Sequence, residues 1–172
     1  MDRRLDKYLC AKYQPLYRDR HADMRTTAMC WGFSITGSGW FNILNVLSRH
    51  LCRDWIQAKR DYDTLLPRLG KVKWGYNPES DWNPLVTQEL IDQALLKIEE
   101  ERAKIPVASQ VKEKYGSLRF STWGATDEQH AIISLAESMS EVTCEICGAP
   151  GKINDSGWLS CRCKKHRDKG DW

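Results

Sequence analysis

The chain has 172 residues, with 26 Lys plus Arg against 23 Asp plus Glu, seven Cys and eight Trp. That length suits one domain of ordinary size, or one domain with a small appendage, and 41% hydrophobic content beside 28% charge excludes wholesale disorder. An odd cysteine count cannot close into intramolecular disulfides alone, so the composition points to a reducing compartment and metal ligation.

Residues 2–13 read as a short helix through Leu5, Tyr8, Leu9 and Lys12, and residues 14–30 carry no assignable pattern. Gly32, Gly37 and Gly39 then mark sharp turns or a close approach of the backbone to something else. A long helix is predicted over about 40–63, because Trp40, Leu44, Leu47, Leu51, Trp55, Ala58 and Tyr62 recur three or four apart, with Ser38 as its N-cap. Residues 64–86, with Pro67, Pro78 and Pro84 beside Trp74 and Trp82, read as an irregular loop. A second long helix is expected over about 87–104, capped by Thr87 and burying Leu90, Ile91, Ala94, Leu95 and Ile98.

The period then changes to two. Val107, Ser109 and Val111, then Leu118, Phe120 and Thr122 across Tyr115-Gly116, predict a β-hairpin over about 107–123. Thr126 and Gln129 form a capping box for a helix over about 127–140, expected to bury Ile132, Leu135, Ala136 and Met139. The fold class expected is α+β, helices packed on a small antiparallel sheet, over residues 1–140. Residues 141–172 form a zinc-knuckle tail.

In that tail Cys144-Glu-Ile-Cys147 and Cys163-Lys-Lys-His166 are two pairs of the same spacing, separated by fifteen residues. Zinc takes four such ligands in a tetrahedron, and four protein ligands leave no open position for water, which makes the metal structural. Cys161 is a competing third ligand, and Cys163 is preferred because it repeats the two-residue spacing. Lys152, Arg162, Lys164, Lys165 and Arg167 would offset the charge of three thiolates. Cys10, Cys30 and Cys52 read as small buried apolar residues.

Three blocks resemble a known group. Cys30 with Gly37-Ser-Gly39-Trp40-Phe41, the stretch Gln110-Val-Lys-Glu-Lys-Tyr-Gly-Ser-Leu-Arg-Phe120, and Glu137-Ser-Met-Ser140 leading into Cys-Glu-x-Cys-Gly-Ala-Pro-Gly together resemble small bacteriophage and prophage proteins that end in a zinc knuckle. That group closes on Gly-Trp-x4-Cys-x-x-His or Cys, which maps onto Gly157, Trp158, Cys163 and His166. The resemblance covers about 30–60 and 107–166, and implies a phage setting without an assigned reaction.

Lys112, Lys114 and Arg119 around Tyr115 offer cations and a stacking ring to a phosphate-bearing ligand, and Trp74 and Trp82 are further binding candidates. The alternative is a solvated strand face with Glu113 neutralising its neighbours. The Gly37–Gly39 turn offers amides to an anion, although packing through Trp40 explains it better. No GxxxxGK[ST], HExxH or GxSxG motif is present, and no run reaches the ~18 apolar residues of a membrane span. The expectation is therefore a cytoplasmic, non-enzymatic zinc protein acting by binding, as a counter-defence factor that sequesters a nucleotide immune signal or occludes a host defence protein. The alternatives are a zinc-ribbon DNA- or RNA-binding protein of phage transcription or replication, and a hydrolase. Homo-oligomers are compatible with either binding reading.

Overall fold

The computed structural model describes residues 1–34, 36–71, 73, 85–155 and 157–167. Trp74 and Trp82 lie outside the described residues, and with them most of the predicted loop. Among the described residues the architecture is α+β: five helices with small antiparallel hairpins. The chain divides into two compact units, one formed by 1–51 together with 105–172 and the other by 52–104. The cysteine-rich tail thus belongs to the first unit.

The first unit begins with α1 (Arg3–Lys12), capped by Asp2, whose carboxylate accepts from the Arg4 amide at 2.8 Å. Only Leu9 of its predicted stripe is fully buried. The larger anchors come just afterwards: Tyr13, Leu16 and Tyr17 are all buried, in a stretch without helical periodicity. Tyr17 meets Phe33 edge-on at 5.2 Å and Phe120 at 6.3 Å, and its hydroxyl pairs with Ser48 at 2.6 Å. Asp6 and Arg20 form a 3.0 Å ion pair that ties α1 to a short 3-10 turn at Arg18–His21.

The helix expected over 40–63 is two helices, α2 (Phe41–Leu51) and α3 (Arg53–Leu65). The break falls at Cys52, whose φ of −106° and ψ of 11° leave the helical region. The apolar stripe conceals it because Leu51 and Trp55 remain four apart on either side. Ser38 does not cap α2: it opens a 3-10 turn (Ser38–Trp40), and its hydroxyl instead accepts from the Asp2 amide at 2.9 Å.

The hairpin is β1 (Val107–Lys114) and β2 (Ser117–Trp123). Its turn residues Tyr115 and Gly116 both take positive φ, 55° and 80°, the backbone sign that a two-residue hairpin turn of right-handed twist requires. A bulge between Ala108 and Gln110 shifts the register, so Ala108 and Val111 face the core instead of Val107 and Ser109. Both outer edges are covered. Ala108 donates to the Leu16 carbonyl at 2.9 Å on one side. On the other, α5 (Asp127–Ser140) satisfies two β2 amides: Leu118 donates to Ser140 Oγ at 2.7 Å and Phe120 to a Glu137 carboxylate oxygen at 2.8 Å. An edge strand so covered is no template for another chain.

The capping box of α5 is present as expected, but its buried face is Ile133, Ala136 and Ser140. Leu135 and Met139, expected in the core, are exposed. The physical reason is that β2 needs hydrogen-bond acceptors along its edge, so a serine and a glutamate face it and the apolar stripe turns away.

In the second unit α3 packs on α4 (Gln88–Ala103), which Thr87 caps through a 3.3 Å bond from the Leu90 amide. Ile91 is fully buried, Leu90, Ala94 and Ile98 are half-buried, and Leu95 is exposed, contrary to its expected place. Glu101 is held between Lys97 at 2.6 Å and Lys104 at 2.9 Å.

Candidate metal centre

Immediately after α5 the chain folds into a tight turn. The Gly148 amide donates to the Cys144 carbonyl at 2.8 Å and the Cys144 amide to the Ala149 carbonyl at 2.8 Å. Gly148 takes a φ of 77°, which a side chain would resist. Two-residue strands β3 (Lys152–Ile153) and β4 (Cys161–Arg162) then pair antiparallel and return the chain to the first turn, where Glu145 donates to the Cys161 carbonyl at 3.1 Å. The second turn closes as the amides of His166 and Arg167 donate to the Cys163 carbonyl at 2.9 and 3.1 Å.

These turns bring Cys144, Cys147, Cys163 and His166 together, their ligand atoms all within 4.8 Å of one another. Sγ of Cys147 and Sγ of Cys163 are 3.7 Å apart, and Nδ1 of His166 lies 3.6 Å from Cys144 Sγ and 3.3 Å from Cys163 Sγ. A tetrahedron with metal–sulfur bonds of about 2.3 Å and a metal–nitrogen bond of about 2.0 Å has sulfur–sulfur edges of about 3.8 Å and sulfur–nitrogen edges of about 3.5 Å. The donor set and its edges therefore fit zinc, and the cluster could hold such an ion. It is the only such group among the described residues.

Cys161 is outside it. Its buried thiol donates to the Glu141 carbonyl at 3.2 Å, and burial pushes its pKa up to about 11. Burial acts the same way on Cys144, but the amides of Cys147, Cys163 and Ile146 point at its sulfur and outweigh it, bringing the thiol down to about 6. This is the environment of a metal-ligating thiolate.

The charges expected to offset the thiolates are partly spent elsewhere. Arg162 pairs with Glu145 at 2.6 Å, and Arg167 donates to the backbone carbonyl of Arg162 at 3.2 Å. Backbone amides do for Cys144 what the lysines were expected to do.

The glycines ahead of α2 have their explanation here. A Cβ on Gly37 would lie 1.9 Å from the Glu145 carbonyl oxygen, and one on Gly39 would lie 2.1 Å from that of Cys144 and 2.5 Å from the Gly148 nitrogen. The Gly39 amide donates to the Glu145 carbonyl at 2.8 Å, and the indole of buried Trp40 donates to the Thr143 carbonyl at 2.8 Å. The Gly37–Trp40 turn is thus packed backbone to backbone on the first cysteine turn. Its Gly39 amide is consumed there, which removes it from any anion site.

Cys10 and Cys30 are half-buried and Cys52 is buried. The Cys10 thiol donates to Asp6 at 3.3 Å, and burial first, then Asp6, pushes its pKa up to about 12.

The hairpin residues are placed as follows. Lys112 faces Arg119 across the strands, and Lys114 follows on the same side, opposite Ser117. Glu113 points to the other side, where its carboxylate accepts from the Gly116 amide at 2.6 Å. Tyr115 stands exposed at the turn with the Lys114 ammonium 5.2 Å from its ring centre. Glu113, Lys114 and Tyr115 line one side of an open groove of about 410 Å³, completed by Trp158, which is 83% exposed. The resemblance assigns Trp158 only a place in a motif, because residues 115 and 158 come to one groove solely through the packing of the hairpin turn against the tail, where Gly116 approaches Ile153 and Ser160.

Comparison with family models, curated proteins and solved structures found no match. What fold and site define is a small α+β protein with a C-terminal Cys3His cluster suited to zinc. No helix among the described residues is long and apolar enough to cross a membrane.

Proposed function

We propose that this chain is a non-enzymatic binding protein in which a structural zinc ion braces a surface for a nucleotide, free or within a strand. Zinc at Cys144, Cys147, Cys163 and His166 would have four protein ligands and no vacant position for substrate, so its contribution is to fix the tail against the Gly37–Trp40 turn and the hairpin.

One observation carries the binding reading. Lys112, Lys114 and Arg119 share the hairpin face that points away from the core and make no ion pair among the described residues, and Lys114 at the end of that row lines, with Glu113, the groove that holds the exposed rings of Tyr115 and Trp158. Rings that accept a base and cations that accept its phosphates are the two halves of nucleotide recognition without sequence readout. Exposed Trp123 lies at the far end of the same face. The motif resemblance to phage proteins adds a setting, in which such binding would serve counter-defence by sequestering a nucleotide immune signal; occluding a host defence protein is the other form.

Titrating the zinc-loaded protein with cyclic and linear nucleotides and with short single-stranded DNA and RNA tests this through tryptophan fluorescence. Binding that weakens in K112E, K114E and R119E, with the salt slope falling by roughly one for each lost phosphate contact, supports it. Preference for the small nucleotides favours sequestration, and preference for strands favours the zinc-ribbon alternative. Absence of binding to all of them at low salt refutes the nucleotide surface, and turnover of any of them refutes the non-enzymatic reading.

A further inference from the structure

The apolar stripe of α5 that the core does not take up lies open beside α2. Ile132, Leu135, Ala136 and Met139 line one wall of a groove of about 420 Å³, and Ile43, Val46 and Leu47 line the other, with Asn42 and His50 at its ends. Leu135 is 62% exposed, Met139 49% and Val46 43%. Both walls follow the same three-and-four spacing, the seam spacing of packed helices. An exposed apolar surface of this kind marks an interface.

The helices run antiparallel. Trp40, just ahead of α2, bonds to Thr143, just beyond α5, so the start of α2 lies by the end of α5. The last turn of α2, with Arg49 and His50, therefore lies at the same end of the groove as the first turn of α5, with Asp127 and Glu128. Helix α2 carries no acidic residue, and α5 carries no Lys or Arg.

We propose that this groove is the interface of a homodimer, closed by a second copy into a four-helix arrangement. A two-fold axis running along the groove sets α2 of each copy over α5 of the other. That operation keeps like ends together, so the last turn of α2 in each copy, with Arg49 and His50, comes to the same end of the groove as its partner's Asp127 and Glu128, twice. It also makes every neighbouring pair of helices antiparallel, with the C-terminus of α2 near the N-terminus of its partner's α5, where the two helix dipoles attract. The other two-fold, across the groove, would stack α2 on α2 and α5 on α5 with their ends reversed, which sets Arg49 and His50 over the uncharged start of the partner's α2 and gives them no acidic partner. A second copy in this arrangement thus offers the groove both an apolar seam and opposite charge, with two-fold symmetry.

Sedimentation equilibrium of the full-length, zinc-loaded protein tests the proposal, together with L135E, R49E and the swap R49E/E128R. Leu135 is on the surface of a single copy, so L135E leaves the circular dichroism spectrum and melting of the monomer intact. It removes two buried leucines per dimer and should weaken association by about a hundredfold. R49E should weaken it by about tenfold, and adding E128R should restore most of the loss. A wild type that stays monomeric throughout the micromolar range overturns the proposal. So does a dimer that L135E does not weaken, which would place the interface elsewhere. A dimer weakened by L135E in which the charge swap fails to rescue R49E overturns the α2-on-α5 arrangement.

Discussion

Replacing Gly39 by alanine adds one methyl group at the point where the 3-10 turn ahead of α2 meets the first cysteine turn. The new Cβ would fall 2.1 Å from the Cys144 carbonyl oxygen, 2.5 Å from the Gly148 nitrogen and 2.8 Å from the Cys147 nitrogen. All three are backbone atoms of a turn pinned by its own hydrogen bonds, so no side chain can swing aside. The two segments must separate. Separation breaks the bond from Gly39 to the Glu145 carbonyl and the one from Trp40 to the Thr143 carbonyl, each 2.8 Å in the native fold. Overpacking costs about 1–3 kcal/mol and two lost hydrogen bonds cost about 1 kcal/mol each, giving about 3–5 kcal/mol. For a chain of this length that lowers the melting temperature by about 6–20 °C.

Gly124→Ala is the control. Gly124 belongs to the same unit and has a φ of 73°, but nothing lies within 4 Å of its Cβ position. Its cost is the left-handed backbone alone, about 1–2 kcal/mol. Calorimetric melting of both variants with zinc bound should separate them clearly. G39A melting within a few degrees of G124A would show that the glycine turn and the cysteine turn do not brace each other.

Three further outcomes are expected. C161S should retain one zinc per chain by elemental analysis, whereas C163S should lose it, because only Cys163 lies with the other ligand atoms; zinc loss in C161S would reverse that assignment. S140A should cost about 1–3 kcal/mol in denaturant unfolding, since it leaves the Leu118 amide buried without an acceptor, and a change under about 0.5 kcal/mol would contradict the edge-capping role. Zinc-free protein should gain stability as pH rises from about 6 towards 9: the Cys144 thiol sits at about 6 in the fold and at the ordinary value near 9 when unfolded, so its contribution is complete above 9 and lost as pH falls through 6, and a flat profile over that window refutes it.

Local chemistry made much of this fold legible. Tyr115-Gly116 between alternating runs marked both strands of the hairpin, Thr126 with Gln129 marked the start of α5, and the repeated two-residue spacing picked Cys163 over Cys161. What stayed hidden depends on partners distant in sequence. Gly37 and Gly39 announced a close approach, but their partner lies over a hundred residues on, and no local pattern names it. The burial of α5 was misread for a more instructive reason. Hydrophobic spacing finds the most apolar side of a helix and equates it with the core. Here the side facing β2 also had to supply acceptors to a strand edge, so Ser140 and Glu137 hold positions on that side that apolar residues would otherwise take. The displaced stripe of Leu135 and Met139 then requires an explanation of its own. An apolar stripe that survives on the surface beside a second one on α2 is what a sequence looks like when one helix serves two interfaces, the strand edge within the chain and the groove that a second copy would close.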